Sequence, residues 1–312
     1  MSFSIISEAL DLLDDPQANG ARTAGFLKKY GAENITLQTC RGEKGSTDFI
    51  RVLIPGKNGK SAGGKAPTLG VVGRLGGIGA RPDRLGFTSD GDGALSALAI
   101  AAKLSRMHSL GDILEGDVIV TTHICPDAPT RPHDPVPFME SPVTSAECNA
   151  HEVDPAMDAV ISIDTTKGNR IVNHRGIAIT PTVRDGWILR VSEDFLSILE
   201  ITTGKLPVVL PLTQQDITPY GNGIYHLNSI LQPSVVTRAP VIGLAITAVS
   251  QVPGCATGAT HLEDISDAVS FTLEAAKAYV SGKAEFCDDV EFARLQSLYG
   301  SMSHLRTFGE EK

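Results

Sequence analysis

Apolar residues along the chain follow helical spacing in some segments and strand spacing in others. The residues around positions 92–108 give the clearest helical pattern, because Asp92 opens the first turn and Arg106 lies near the end, as the helix dipole favours. Apolar positions three and four residues apart predict five helices, over residues 7–15, 21–30, 92–108, 193–203 and 264–281.

Short apolar runs lie between these helices and predict strands. Residues 34–39 and 48–54 flank the turn-rich sequence RGEKGST and predict a strand pair. Strands alternate with helices along the whole chain, which predicts an α/β fold with a mostly parallel sheet. Because neither a linker nor a repeat is visible, we expect one domain over residues 1–312, with the helices of residues 1–33 packed on it. The remaining apolar runs, each of which also predicts a strand, are 68–73, 117–122, 159–164, 177–183, 207–212 and 240–249.

Composition narrows the classes of function. The chain has 27 Lys and Arg against 36 Asp and Glu, a net charge of −9, and its longest basic run is the pair Lys28 and Lys29. A nucleic-acid partner is therefore not expected. No apolar run approaches the roughly 20 residues of a membrane span, and the N-terminus lacks signal-peptide features, so we expect a cytoplasmic protein without a membrane partner. A homodimer or higher oligomer is the default expectation.

Polar residues that directly follow strands are the candidate site residues, because ligands of α/β proteins bind where strands end and helices begin. Asp90 and Asp92 precede the clearest helix, where they can hold a cation or serve as a turn residue and a helix cap. The sequence THICPD follows the strand DVIVTT. It supplies His123, Cys125 and Asp127, the three residue types that commonly bind zinc, although a buried thiol and a strand-end histidine explain two of them equally well.

Other candidates lie later in the chain. Asp164 ends an apolar strand, where an unpaired carboxylate is costly, so either a ligand or a neighbouring loop should satisfy it. His261 precedes the closing helix and is either a metal ligand or part of the helix start. The glycine-rich loop DITPYGNGIYH is typical of a ligand-contact loop, which makes Asp216, Tyr220 and His226 candidates for substrate binding.

The order of these features resembles the co-catalytic zinc aminopeptidases, which have a phosphorylase/hydrolase-like fold. LGVVGRLGGIG is similar to the strand that carries their first metal motif, and SDGDGALSALAIAAKL to the loop and helix with the bridging aspartate. DVIVTTHICPD, AVISIDTTKG and ATHLEDISDAVSF occupy the positions of their Glu-Glu strand, their later aspartate strand and their last histidine. The resemblance spans about residues 35 to 281 and implies a three-layer αβα fold without an inserted dimerisation domain. It also implies a small peptide or amide ligand and one Zn²⁺ or other divalent cation, held by Asp90, Asp92, Asp164 and His261.

The chain departs from that family at key positions. Arg74 and Gly76 stand in place of the histidine and aspartate of the first motif, and residues such as Ile124 and Cys125 stand in place of the glutamate pair that supplies a general base and a metal ligand. The chain is also similar to an uncharacterised bacterial family whose genes lie near peptide transporters and aminopeptidases, a context that implies peptide or amide metabolism.

Three hypotheses follow from the sequence. The first is a metal-dependent or remodelled hydrolase of a small amide or peptide, with its catalytic groups among Asp92, His123, Cys125 and Asp127. In it Asp92, Asp164, His123 and His261 hold one Zn²⁺ or similar ion, Asp90, Cys125 or Asp127 completes the shell, and a metal-bound water is the nucleophile. The second is a non-catalytic ligand- or partner-binding protein in which Arg74 replaces the metal charge or holds a substrate carboxylate. The third is an enzyme with Cys125 as its nucleophile, which needs a histidine from another loop.

Overall fold

The structure is a computed structural model that describes residues 3–74, 76–80, 86–134, 137–168, 170–251 and 260–306. Within these ranges no helix is both long and apolar enough to cross a bilayer. Cys255 lies outside the described residues, and the cysteines inside them are free thiols, namely Cys40, Cys125, Cys148 and Cys287.

All five predicted helices are present, with their ends shifted by a few residues. Asn19 caps α2 by accepting a hydrogen bond from the Arg22 amide, and α5 ends where Gly204 takes a left-handed φ of 68°. Two further helices, α4 and α7, were not predicted. The α-helices of the described residues are α1 (Phe3–Asp14), α2 (Gly20–Lys29), α3 (Asp92–Ser109), α4 (Ser145–Glu152), α5 (Glu193–Thr203), α6 (Leu262–Val280) and α7 (Asp289–Tyr299).

Among the described residues, nine strands form one sheet in the order β1-β2-β4-β3-β7-β11-β9-β10, with β8 also paired to β11, while β5 and β6 form a separate hairpin. The apolar run 207–212 contributes a single bridge, between Ile179 and Val209, rather than a strand. The strands are β1 (Asn34–Gly42), β2 (Gly45–Ile54), β3 (Leu69–Gly73), β4 (Val118–Ile124), β5 (Thr130–Arg131), β6 (Phe138–Met139), β7 (Ala159–Gly168), β8 (Gly176–Ile179), β9 (Val183–Arg184), β10 (Trp187–Ile188) and β11 (Val241–Gln251).

Only the centre of the sheet is parallel. Strands β4, β3, β7 and β11 pair in parallel, whereas β1 and β2 on one side and β8, β9 and β10 on the other are antiparallel. The prediction of an α/β fold is confirmed, but the sheet is mixed rather than mostly parallel. The short connection from β1 to β2 explains the antiparallel pair at one edge, because a parallel partner needs a long crossover.

The two faces of the sheet are covered differently. Val71 and Val120 belong to the main core, which they share with α1, α2, α3, α5 and α6, and Ile6 of α1 is fully buried in it. Val72 and Ile119 point to the opposite face, where the second core is closed mainly by loop residues and short 3-10 helices. The long helices therefore lie on one face of the sheet. The other face is covered mainly by loops and short 3-10 helices, so the second helical layer of the three-layer arrangement implied by the resemblance is incomplete. The loop-covered face carries the candidate site.

Candidate functional site

A cavity of about 900 Å³ opens at the carboxyl ends of the parallel strands. The chain leaves β3 towards β4 and leaves β7 towards β11, on opposite sides, and such a divergence creates a crevice at the sheet edge. His123 and Cys125 at the end of β4 and Thr165 of β7 line the cavity. The β5–β6 hairpin and the segment 220–229, which we call the cavity loop, supply much of the rest of the wall.

Asp164 lies beneath this cavity and is fully buried. Side chains alternate along β7, so Asp164 points to the same loop-covered face as Val160. Ser229, which lines the cavity, donates its hydroxyl hydrogen to Asp164 Oδ2, and the Thr165 amide donates to Oδ1 at 2.7 Å. Burial raises the pKa of Asp164 to about 6, although Ser229, Arg74 and the Thr165 amide favour the charged form. The cavity loop thus provides the partner that this carboxylate requires.

Four charged or polar side chains form a buried network beside the cavity. Arg74 Nη1 donates to Glu152 Oε2 at 2.7 Å and to Asn149 Oδ1 at 3.0 Å, and His123 Nδ1 lies 2.5 Å from Glu152 Oε1. Arg74 is 2% exposed and Glu152 is 0% exposed. Burial acts to raise the pKa of Glu152, but Arg74 and His123 outweigh it and the pKa ends below its ordinary value. Glu152 therefore carries the negative charge that balances Arg74.

The hydrogen bonds of His123 fix its tautomer. The Gly76 amide donates to His123 Nε2 at 3.0 Å, so Nε2 is the acceptor and the ring proton sits on Nδ1, facing Glu152. Only glycine fits at position 76, because a Cβ there would lie 1.6 Å from the His123 carbonyl oxygen. Both ring nitrogens are engaged, so His123 can bind a metal or accept a proton only by breaking one of these bonds.

Glu152 is the site residue that the sequence did not reveal. It ends α4, which lies between the predicted strands 117–122 and 159–164, where the apolar pattern predicted no helix. A signal for this helix was present: Thr144 and Glu147 form a capping box, and the pattern T-x-x-E marks a helix start. The pairing of Glu152 with Arg74, 78 positions earlier in the chain, has no sequence signature of its own.

The residues predicted to be catalytic do not present free functional groups to the cavity. Cys125 lines it, but burial raises the pKa of the thiol to about 12, so it is not an activated nucleophile. Asp127 is exposed and is not part of the cavity wall. Asp92 is buried at the start of α3, where it accepts a hydrogen bond from Thr260 Oγ1 at 2.6 Å.

The predicted metal ligands are only partly brought together. Asp90 lines the cavity, Asp92 and Asp164 are buried, and His261 is exposed at the N-cap of α6. Among the residues that the structure describes, no three His, Cys, Asp or Glu side chains form a group that could hold a metal ion. As the structure places them, these donors do not form a protein-held zinc site.

The three predicted substrate-binding residues near the cavity loop have different roles. Asp216 is fully buried and lies outside the cavity wall, and its carboxylate accepts hydrogen bonds from the amides of Leu227 and Asn228 at 2.9 and 3.0 Å. Asp216 therefore holds the backbone of the cavity loop in position. Tyr220 and His226 line the cavity, with their rings edge to face at 4.5 Å. Arg74, the fourth such candidate, is too buried to meet a ligand.

Residues 38–309 match a family model described as "Protein of unknown function (DUF1177)". The chain belongs to this family. No curated protein matches it. The DUF1177 match includes the whole cavity wall, the Asp164–Ser229 pair and the network of Arg74, Glu152 and His123, whereas α1 and α2 precede it. The site is thus contained in the part of the chain that defines the family.

Proposed function

We propose that this DUF1177 protein hydrolyses a small amide or peptide in the cavity, on a fold related to that of the zinc aminopeptidases, with the Asp164–Ser229 pair in place of a protein-held metal. One observation supports this most. Ser229, on the cavity wall, donates a hydrogen bond to a buried carboxylate on a central parallel strand. A carboxyl group whose pKa is raised to about 6 is matched to proton transfer near neutral pH.

The proposed reaction has two steps. Ser229 Oγ attacks the amide carbonyl carbon while its proton passes to the buried Asp164, and a water molecule in the cavity relays that proton from Asp164 to the leaving nitrogen as the carbon–nitrogen bond breaks. This first step leaves the acyl group bound to Ser229 Oγ as an ester. Water attacks the ester carbon, its proton passes to Asp164, and the same proton returns to the Ser229 oxygen as the carbon–oxygen bond breaks.

Tyr220 and Arg74 set the surroundings of this pair. Burial and then the charge of Asp164 raise the pKa of Tyr220, so its phenol stays protonated beside the pair and can donate to a developing oxyanion. Arg74 favours the ionised form of Asp164 from behind, without contacting the ligand.

The test is release of free amine from dipeptides and N-acyl amino acids. We expect the rate to rise as pH increases through about 6 and then to level off, because Asp164 has to be ionised to accept a proton. Asp164→Asn and Ser229→Ala should each lower kcat roughly hundredfold or more, and EDTA should leave the rate unchanged. Full activity of either variant would remove the pair from the mechanism. Loss with EDTA and recovery with Zn²⁺ would instead support the metal-dependent hydrolase.

Unfolding measurements separate lost chemistry from lost structure in Asp164→Asn. The folded pKa of Asp164 lies above its ordinary value of 3.8, so the stability contributed by the protonated form is present below about pH 4 and is lost as pH rises through about 6. Asparagine resembles the protonated form. The variant should therefore unfold at no lower urea concentration than wild type at pH 7.

A second candidate function is ligand binding without catalysis. It is favoured by the closed network of Arg74, Glu152 and His123 at the place where the zinc aminopeptidases carry metal ligands. If this second function is the correct one, none of the dipeptides and N-acyl amino acids is cleaved, and calorimetry detects one of them binding equally tightly to wild type and to Ser229→Ala.

A further inference from the structure

We infer that the cavity selects a ligand with a free carboxylate, and that Arg131 binds it. This inference rests on the proposed function and names its substrate class: an N-acyl amino acid or short peptide whose carboxylate lies next to an apolar side chain.

Arg131 is held in position by the β5–β6 hairpin. It pairs in register with Phe138 across the hairpin, and its guanidinium carbon lies 5.2 Å from the centre of the Phe138 ring. Both residues line the cavity. A guanidinium that stacks on an aromatic ring keeps the N–H groups at its edge available, and these fit the two oxygens of a carboxylate.

The charged side chains on the cavity wall differ in whether they have a partner of opposite charge. Glu140, on the same hairpin, is paired with Lys44. In contrast, Arg131 has no ion pair with any carboxylate of the described residues, although it is a cation on the wall of a large cavity. An anionic group on the ligand would complete this pairing, and a carboxylate is the anion that a peptide or N-acyl amino acid carries.

The cavity loop supplies the apolar part of the subsite. Ile224, Tyr225 and Leu227 line the cavity and are 47%, 81% and 43% exposed. Grouped apolar side chains that face water on a cavity wall are typical of ligand contacts. Asp216 holds this loop by its backbone, so the apolar groups stay in place before a ligand binds.

The experiment compares N-acetyl-leucine with N-acetyl-leucinamide, which lacks only the carboxylate, by calorimetry on the wild-type protein. We expect the carboxylate compound to bind at least about tenfold more tightly, as for one charge-assisted hydrogen-bonded pair. Arg131→Gln should abolish this preference. Arg41→Gln, a change at an exposed arginine on β1 outside the cavity, is the matched control and should keep it.

Equal binding of the two compounds, no binding of either, or a preference that survives Arg131→Gln would overturn the inference. Chromatography of the ligand recovered after each titration shows separately whether the amide was cleaved. A carboxylate preference without cleavage leaves Arg131 as the carboxylate-binding residue and removes the hydrolase proposal. Cleavage without a carboxylate preference removes Arg131 as the carboxylate-binding residue and leaves the hydrolase proposal in place.

Discussion

Glu152 is the residue on which the wall of the cavity depends. Its carboxylate joins Arg74, from the chain after β3, to His123, at the end of β4, and all three are buried. His123 in turn accepts from the Gly76 amide. One carboxylate thus fixes the relative positions of three chain segments around the sheet edge.

Replacing Glu152 should destabilise the protein strongly. Glu152→Gln keeps the shape but removes the carboxylate that is hydrogen-bonded to the buried Arg74 charge, which costs about 3–5 kcal/mol. Urea unfolding at pH 7 measures this loss. The control is Glu274→Gln, which removes an exposed pairing with Lys277 and should change the free energy of unfolding by less than about 1 kcal/mol. Similar losses in the two variants would mean that the buried network does not carry this role.

At the scale of elements, the position of α3 is set by how closely its first turn approaches the sheet. A Cβ on Gly93 would lie 2.4 Å from the Arg74 carbonyl oxygen and 2.7 Å from that of Ile163. These oxygens belong to the residue that follows β3 and to a residue in the middle of β7. The close approach brings the start of α3, with Asp90 and Asp92, to the edge of the cavity.

Alanine substitutions at two helical glycines should therefore have opposite effects. Gly93→Ala forces the start of α3 away from the strands and should cost about 1–3 kcal/mol or more. Gly25→Ala in α2 meets no atom within 4 Å, and it should stabilise the protein by about 0.5–1 kcal/mol, because alanine loses less backbone entropy in a helix. Thermal unfolding of the two variants gives the comparison, and a loss of stability in both would contradict the packing argument.

At the scale of the whole molecule, the main core extends beyond the part of the chain that the DUF1177 model matches. Ile6 in α1 is fully buried among residues of the sheet and of α3, yet the match begins at residue 38. The N-terminal helices are thus part of the folded unit that carries the cavity.

Truncation of Ile6 should lower the stability of the entire protein. Ile6→Ala removes buried methyl groups and should cost about 2–5 kcal/mol, with one cooperative transition by circular dichroism and fluorescence. Ile201→Ala, at an 81% exposed position of α5, should change stability by less than about 0.5 kcal/mol. A separate early transition in Ile6→Ala would indicate that α1 unfolds independently of the sheet.

The sequence by itself determined five of the helices, the central strands and the general place of the candidate site, but not α4 or α7. Apolar spacing is a local property, so α3, β4 and β7 could be read from it. His123 could be assigned to a strand end and Asp90 to the turn before α3, whereas β7 continues past Asp164 to Gly168. Strand order and direction, the pairing of Glu152 with Arg74 and the bond between Ser229 and Asp164 were decided only by the tertiary structure. These contacts join residues 65 or more positions apart, and no local pattern records which distant side chain will neutralise a buried charge.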